Sequence, residues 1–345
     1  MKRVSICIPL YNEALVIPAL ERELVALMDR NPGYEFEVIL VENGSRDQSY
    51  PLLREAHARD PRFKIVQLSR NFTADGGVAA GLQFCTGDCA VLMDADLQDP
   101  PEVVDTFLQK WEEGNDVVYG VIQSRERVGV IRRVFNQMFY WVISTTTKGH
   151  IPPNVTAFRL MDRRVYEQLN LMEEANRFTR GLCSWVGFKQ VGVPFHRAGR
   201  REGDSKVNFL DLLKEGLDAL FAFSTLPLRL IAIFGMLLCG FCVLVILYQF
   251  ILTAFYSSPF PGYRTLVVLN LMMFGFIFIA LGVIGEYLSR VYDNVKGRPN
   301  FIVRELVGFE RVGISGVIER PMAPRTYIQK AEAEPHIDAL DARDS

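Results

Sequence analysis

No cysteines and histidines stand at metal-ligand spacing in this chain, which removes structural zinc from the candidate functions. Its six cysteines (Cys7, Cys85, Cys89, Cys183, Cys239, Cys242) are scattered through apolar stretches and form no disulfide framework. Cys239 and Cys242 do make a C-x-x-C, but it lies in a long uncharged run where thiolates would be poorly solvated, which argues against redox or metal chemistry. Excess charge is also lacking. A net charge of −2 gives the whole chain no electrostatic case for nucleic acid. Met1-Lys2-Arg3 runs straight into an apolar strand-like segment too short for a signal peptide, so a cytosolic body with reduced thiols is expected.

The sequence does have long hydrophobic runs. Hydrophobic residues make up 49% of the chain and charged residues 23%, a combination that suggests a polar-surfaced body with an apolar appendix. No charged residue falls between Arg229 and Arg264, and none between Arg264 and Glu286. Each stretch is long enough to cross a bilayer as a helix, and the Pro-, Gly- and aromatic-rich segment 257–263 between them suits an interfacial turn. Basic residues flank the outer ends (Lys206, Lys214, Arg229; Arg290, Lys296, Arg298), while the turn holds only Arg264, so body and tail are expected in the cytoplasm. Two amphipathic segments, 130–143 and 208–228, are candidates for lying at the membrane surface or packing on the sheet. Beyond Phe309 the chain turns polar, and its end reads as disordered.

From Val4 to about Gly120, short apolar runs alternate with amphipathic ones, the pattern of βαβ units in a mostly parallel sheet. Strands are expected at Val4–Pro9, Phe36–Val41, Lys64–Leu68, Ala90–Met93 and Asp116–Tyr119, with helices at about 14–30, 47–59, 74–85 and 101–113. Such sheets bind ligands at the C-terminal ends of their strands. Three polar clusters fall there: Tyr11-Asn12-Glu13, Glu42-Asn43-Gly44-Ser45 and Asp94-Ala95-Asp96. Strand alternation would put the Asp94 and Asp96 carboxylates on the same side of the sheet edge. Hard oxygen ligands of that kind suit Mg²⁺ or Mn²⁺ carrying a diphosphate, although a lone D-x-D also serves as a common turn or helix cap.

Taken together, the runs Ile8-Pro9-Leu10-Tyr11-Asn12-Glu13, Val41-Glu42-Asn43-Gly44-Ser45-Arg46-Asp47 and Asp94-Ala95-Asp96-Leu97-Gln98-Asp99-Pro100-Pro101-Glu102 resemble the family 2 glycosyltransferases of GT-A type. The closer resemblance is to the polyprenyl-phosphate branch, which includes dolichol-phosphate mannose synthase and bacterial undecaprenyl-phosphate glucosyltransferases. It covers residues 1 to about 304, with Phe158-Arg159-Leu160, Arg177-Phe178-Thr179-Arg180-Gly181 and Gly203-Asp204-Ser205-Lys206 as supporting segments. The resemblance implies an α/β fold, with a Rossmann-like GT-A catalytic domain at 1–207, an interfacial helix at 208–228, a transmembrane hairpin at 229–290 (spans about 230–254 and 265–287) and a cytoplasmic tail at 291–345. It also implies that Pro9, Tyr11, Glu13, Val41 and Asn43 line the nucleoside pocket. Asp94, Ala95, Asp96 and Gln98 would hold the diphosphate, with Asp94, Asp96 and Gln98 on the metal, and Arg127, Arg201 and Lys206 would face phosphates.

Three departures bear on that inheritance. The usual aspartate pair before Gly-Ser is Glu42-Asn43, Ile122 replaces a common arginine, and Ala157 replaces an aspartate sometimes proposed as the base. A phosphate monoester has a second pKa of about 6 and is already an oxyanion at neutral pH, so a lipid phosphate acceptor needs no base. The activity implied is sugar transfer from a nucleotide sugar to a polyprenyl phosphate with inversion. Two rivals remain: a transferase extending a membrane glycan, and a catalytically idle partner subunit. The expected partners are the nucleotide sugar, the lipid phosphate and the membrane, and a homo-oligomer is compatible with the sequence.

Overall fold

The structure, a computed structural model, describes residues 1–123, 155–175, 177–197, 226–255 and 262–309. Residues 1–308 form one compact unit, and Phe309 is the one described residue of the second, 309–345. The candidate membrane-surface segment 130–143, the candidate 208–228 as far as residue 225, Arg127, Arg201, Lys206 and the polar end of the tail lie outside the described residues.

The first half runs β1 (Lys2–Leu10), α1 (Ile17–Arg30), β2 (Tyr34–Glu42), α2 (Ser49–Arg59), β3 (Phe63–Leu68), α3 (Thr73–Phe84), β4 (Cys89–Leu92), α4 (Val103–Glu112) and β5 (Val117–Ile122). It continues with β6 (Val155–Asp162), α5 (Arg163–Asn170), α6 (Thr179–Trp185), β7 (Gln190–Phe195), two long helices α7 (Leu226–Phe255) and α8 (Gly262–Lys296), and β8 (Val303–Val307). All the strands form one sheet, in the order β7-β5-β6-β4-β1-β2-β3-β8. The block β3-β2-β1-β4 is parallel, while β6 and β8 pair antiparallel with their neighbours. The mostly parallel GT-A architecture expected from the resemblance is present.

Strands covered on both faces read as nearly continuous apolar runs, and Val4–Ile8 and Phe36–Val41 are buried throughout. The alternation still sorts them. Val4, Ile6, Ile8 and Leu10 pack with α1 and α4, whereas Cys7 joins Val78 and Leu82 of α3 on the opposite face. Helix α3 comes unusually close because it carries Gly77 and Gly81 where side chains would collide. A Cβ on Gly81 would stand 2.1 Å from Cys7 Sγ and 3.0 Å from Val41 Cγ2. Inside the sheet, the buried Glu37 carboxylate accepts from Ser5 Oγ (2.5 Å), Thr86 N (2.7 Å), Thr86 Oγ1 (2.8 Å) and Lys64 Nζ (2.7 Å). Burial alone would raise its pKa, but those donors outweigh it and hold the group below the ordinary value.

Helices α7 and α8 contain segments long and apolar enough to cross a membrane, Pro227–Val245 and Leu269–Lys296, neither buried by the rest of the chain. They pack on each other where Gly235 leaves room for Phe276, whose ring lies 5.3 Å from that of Phe234. One difference from the sequence reading concerns the tail. Helix α8 runs to Lys296, and residues 303–307 return to the body as the edge strand β8, with Tyr50 donating to Glu305 (2.6 Å). Periodicity over five residues could not reveal this, because an edge strand takes its pairing from the partner.

Candidate active site

The three motif clusters converge at the C-terminal edge of the sheet, and their own polar groups organise them. Asn12 N and Glu13 N donate to Ser45 Oγ and Ser49 Oγ (both 3.0 Å), Ala14 N to Asp47 Oδ2 (3.1 Å), and Arg46 N to Asn12 Oδ1 (2.8 Å). Glu42 accepts from Ser45 N. The loops after β1 and β2 are thus stitched into one rim. Three non-glycine residues at this edge hold left-handed backbone: Asn12 after β1 (φ 56°), Thr73 at the start of α3 (φ 67°) and Leu97 after β4 (φ 56°). For a β-branched residue such as Thr73 this is a strained conformation, one maintained where the surroundings over-determine it.

Asn43 supplies much of that determination. It is only 3% exposed, and its amide clamps the β3–α3 loop by accepting from Phe72 N (2.9 Å) and donating to Thr73 O (2.8 Å). Val41 is fully buried against α3. Both residues are buried, whereas Tyr11 is 39% exposed and Pro9 and Glu13 are half-buried. Gly44 fits because φ is 73° and a Cβ would sit 2.5 Å from the Arg70 carbonyl carbon. Ile122 packs on the sheet core.

Asp94 and Asp96 do not extend β4 as strand alternation suggested. The strand ends at Leu92, and both carboxylates sit in the following turn, where Gln98 N donates to Asp96 Oδ1 (3.1 Å) and the left-handed Leu97 reverses the chain. Beneath them lies Asp99, whose role the sequence reading missed. It is fully buried, accepts weakly from Asp94 N through Oδ2 (3.4 Å), and has no hydrogen-bond partner on Oδ1. Burial, with the nearby Asp94 charge, pushes its pKa up to about 7. Arg197 faces this group, with Nη2 3.2 Å from Asp94 Oδ2 and Nε 3.7 Å from Asp99 Oδ1.

Crowded acids with an orphaned buried oxygen fit a divalent cation. No set of three or more ligand-type residues occurs among the described residues. Mg²⁺ and Mn²⁺ commonly use one or two carboxylates and complete their shell with phosphates and water, so Asp94 and Asp96 are a sufficient protein contribution. Asp94 opens into a cleft of about 770 Å³ whose lining includes Pro9, Phe72, Ala157 and the end of α8. Seven basic side chains and three acidic ones line it, so an anion is its natural occupant. Arg159 and the segment Arg177–Arg180 supply part of that wall, as do Arg290, Lys296 and Arg298.

Comparison with known proteins agrees with this geometry. A family model described as "Glycosyl transferase family 2" matches residues 5–169. The chain is 40% identical to "Uncharacterized glycosyltransferase YkcC" of Bacillus subtilis (strain 168), over 89% of this chain and 94% of the relative. It is 33% identical to "Bactoprenol glucosyl transferase" of Shigella phage SfII, over 88% of this chain and 98% of the relative.

Proposed function

The chain belongs to glycosyl transferase family 2, and on that premise we propose that it transfers a sugar from a UDP- or GDP-sugar to a polyprenyl phosphate, with undecaprenyl phosphate as the expected carrier. The observation that carries this reading is the shared cleft: Asp94 at the sheet edge and the end of α8, the helix that leaves the apolar hairpin, line one cavity. A carrier lipid held at the membrane by its tail thereby meets a sugar held at the sheet edge. The name carried by the phage relatives, bactoprenol glucosyl transferase, supports the same acceptor chemistry.

Pro9, Tyr11 and Glu13 flank the nucleoside. Val41 and Asn43 shape its floor from below, and Ala95 and Gln98 border the diphosphate. A divalent cation held by Asp94 and Asp96 would neutralise the departing nucleoside diphosphate. The acceptor is ionised at neutral pH, so it attacks the anomeric carbon in line without a protein base and inverts it. Ala157 at the cleft wall is compatible with that economy. Arg127, Arg201 and Lys206 would add phosphate contacts. With basic residues at the outer ends of the hairpin, the catalytic unit faces the cytoplasm.

The test is transfer by purified protein in detergent, with a panel of labelled UDP- and GDP-sugars, undecaprenyl phosphate and Mn²⁺ or Mg²⁺. A labelled lipid that disappears with EDTA and in Asp96→Ala is the expected result. No product with any donor, in a protein that still binds nucleotide, would refute the reading.

A further inference from the structure

Two arginines in the cleft wall, the buried Arg159 and the half-buried Arg177, make no ion pair among the described residues. Arg159 on β6 is 2% exposed, and its guanidinium donates to the carbonyls of Ala157 (Nε, 3.2 Å) and Thr156 (Nη2, 2.8 Å), with no carboxylate in ion-pair range among the described residues. Arg177 donates to Met172 O and Leu169 O (both 2.9 Å), again without an ion pair among the described residues, and its buried Nε has no hydrogen-bond partner there. Beside it, the hydroxyl of the buried Thr179 is also unpartnered. Burial pushes the Arg177 pKa down, outweighing the opposite pull of the nearby Asp75 and Glu174 carboxylates. Carbonyl oxygens satisfy N–H groups but leave the net charge standing, and a buried charge is ordinarily paired. The missing partner is an anion that belongs to a ligand.

The opposite wall indicates where that ligand comes from. About 20 residues of apolar helix span the hydrocarbon core, so the part of α8 after Gly285 projects beyond it. At 1.5 Å per residue, Glu286–Lys296 extends about 16 Å outward, through headgroup depth. Arg290, Lys296 and Arg298 of this projection line the same cleft as Arg159 and Arg177. Arg290 is bonded to Glu286 (3.0 Å) and Lys296 to Asp293 (3.6 Å), while Arg180 and Arg298 make no ion pair within the described residues.

We propose that the phosphate of the acceptor lipid is seated in this cleft against Arg159, Arg177 and Arg180, having entered between them and Arg290, Lys296 and Arg298 at and just beyond the end of α8. The inference rests on the proposed function for the identity of the lipid, and it assigns a place to the phosphate. That place adjoins Asp94, so a phosphate oxygen seated there is on the reacting side of the donor.

The experiment uses the full chain in detergent and separates three ligands: donor, lipid phosphate, and farnesyl phosphate as a short probe whose binding needs no transfer. Arg180→Ala/Arg298→Ala removes two cations that make no ion pair among the described residues, and circular dichroism of the variant checks that the fold is kept. Arg177→Gln tests the half-buried member. The double variant is expected to raise KM for lipid phosphate about tenfold and weaken farnesyl phosphate about tenfold, with donor KM within about twofold of wild type. Arg177→Gln is expected to weaken the probe by at least that much, and farnesol should not bind. A rise in donor KM alone would assign the cleft to the donor diphosphate and overturn the proposal. Unchanged farnesyl phosphate affinity in both variants would overturn it as well. If wild type transfers no sugar yet binds farnesyl phosphate through these arginines, the proposed function fails while the phosphate site stands.

Discussion

Replacing Asp99 by asparagine isolates the electrostatic load at the sheet edge. The amide keeps the shape of the group and its acceptor for Asp94 N, but it cannot ionise. Asp99 has a pKa of about 7 against an ordinary 3.8, so its ionised form is penalised in the folded protein by about 4 kcal/mol. The sign follows from proton counting. Between about pH 4 and pH 7 the folded chain retains a proton that the unfolded chain has released, so metal-free stability falls as pH rises through that window and levels off above it. Scanning fluorimetry in EDTA, from pH 5 to pH 8, should show wild type losing about 5–10 °C of Tm relative to Asp99→Asn. Millimolar Mg²⁺ should recover more of this loss in wild type than in the variant, because only wild type has a third carboxylate beneath Asp94 and Asp96 to be neutralised. Parallel Tm curves for the two proteins across this range would refute the reasoning.

Asn43→Ala leaves Phe72 N and Thr73 O unbonded in a buried place, with an expected loss of about 2–4 kcal/mol in denaturant titration and a raised donor KM from the released loop. Gly81→Ala forces a Cβ against Cys7 Sγ and should destabilise by about 1–3 kcal/mol, with Cys7→Ala in the same chain restoring most of the loss. Glu37 runs opposite to Asp99. Its pKa lies below the ordinary 4.5, so its contribution is present above that value and is lost as pH falls through the folded pKa. Glu37→Gln should therefore be less stable than wild type at pH 7, and the two stability curves should converge as pH falls through the lowered pKa of Glu37.

The sequence by itself determined the parallel half of the sheet. Buried parallel strands are continuous apolar runs and their helices are amphipathic, so β1 to β5 and α1 to α4 stood within a few residues of their expected bounds. It also determined the apolar hairpin, since a charge-free run of that length has few alternatives, and the three motif clusters, since strand C-termini are where such sheets act. The tertiary structure decided what those motif residues do locally. Asn43 read as a ligand-facing amide, but the bend of the β3–α3 loop brings Phe72 N and Thr73 O to it. Asp99 was visible in the run Asp94–Glu102, yet only burial beneath Asp94 and Asp96 distinguishes it from an ordinary turn residue. Arg159, Arg177 and Arg298 lie far apart in the chain and become one cationic wall because β6, the entry to α6 and the end of α8 meet at one cleft. Local pattern fixes which faces must be covered. Long-range packing fixes which charges lose their water, and the charges left unpaired inside mark where a ligand belongs.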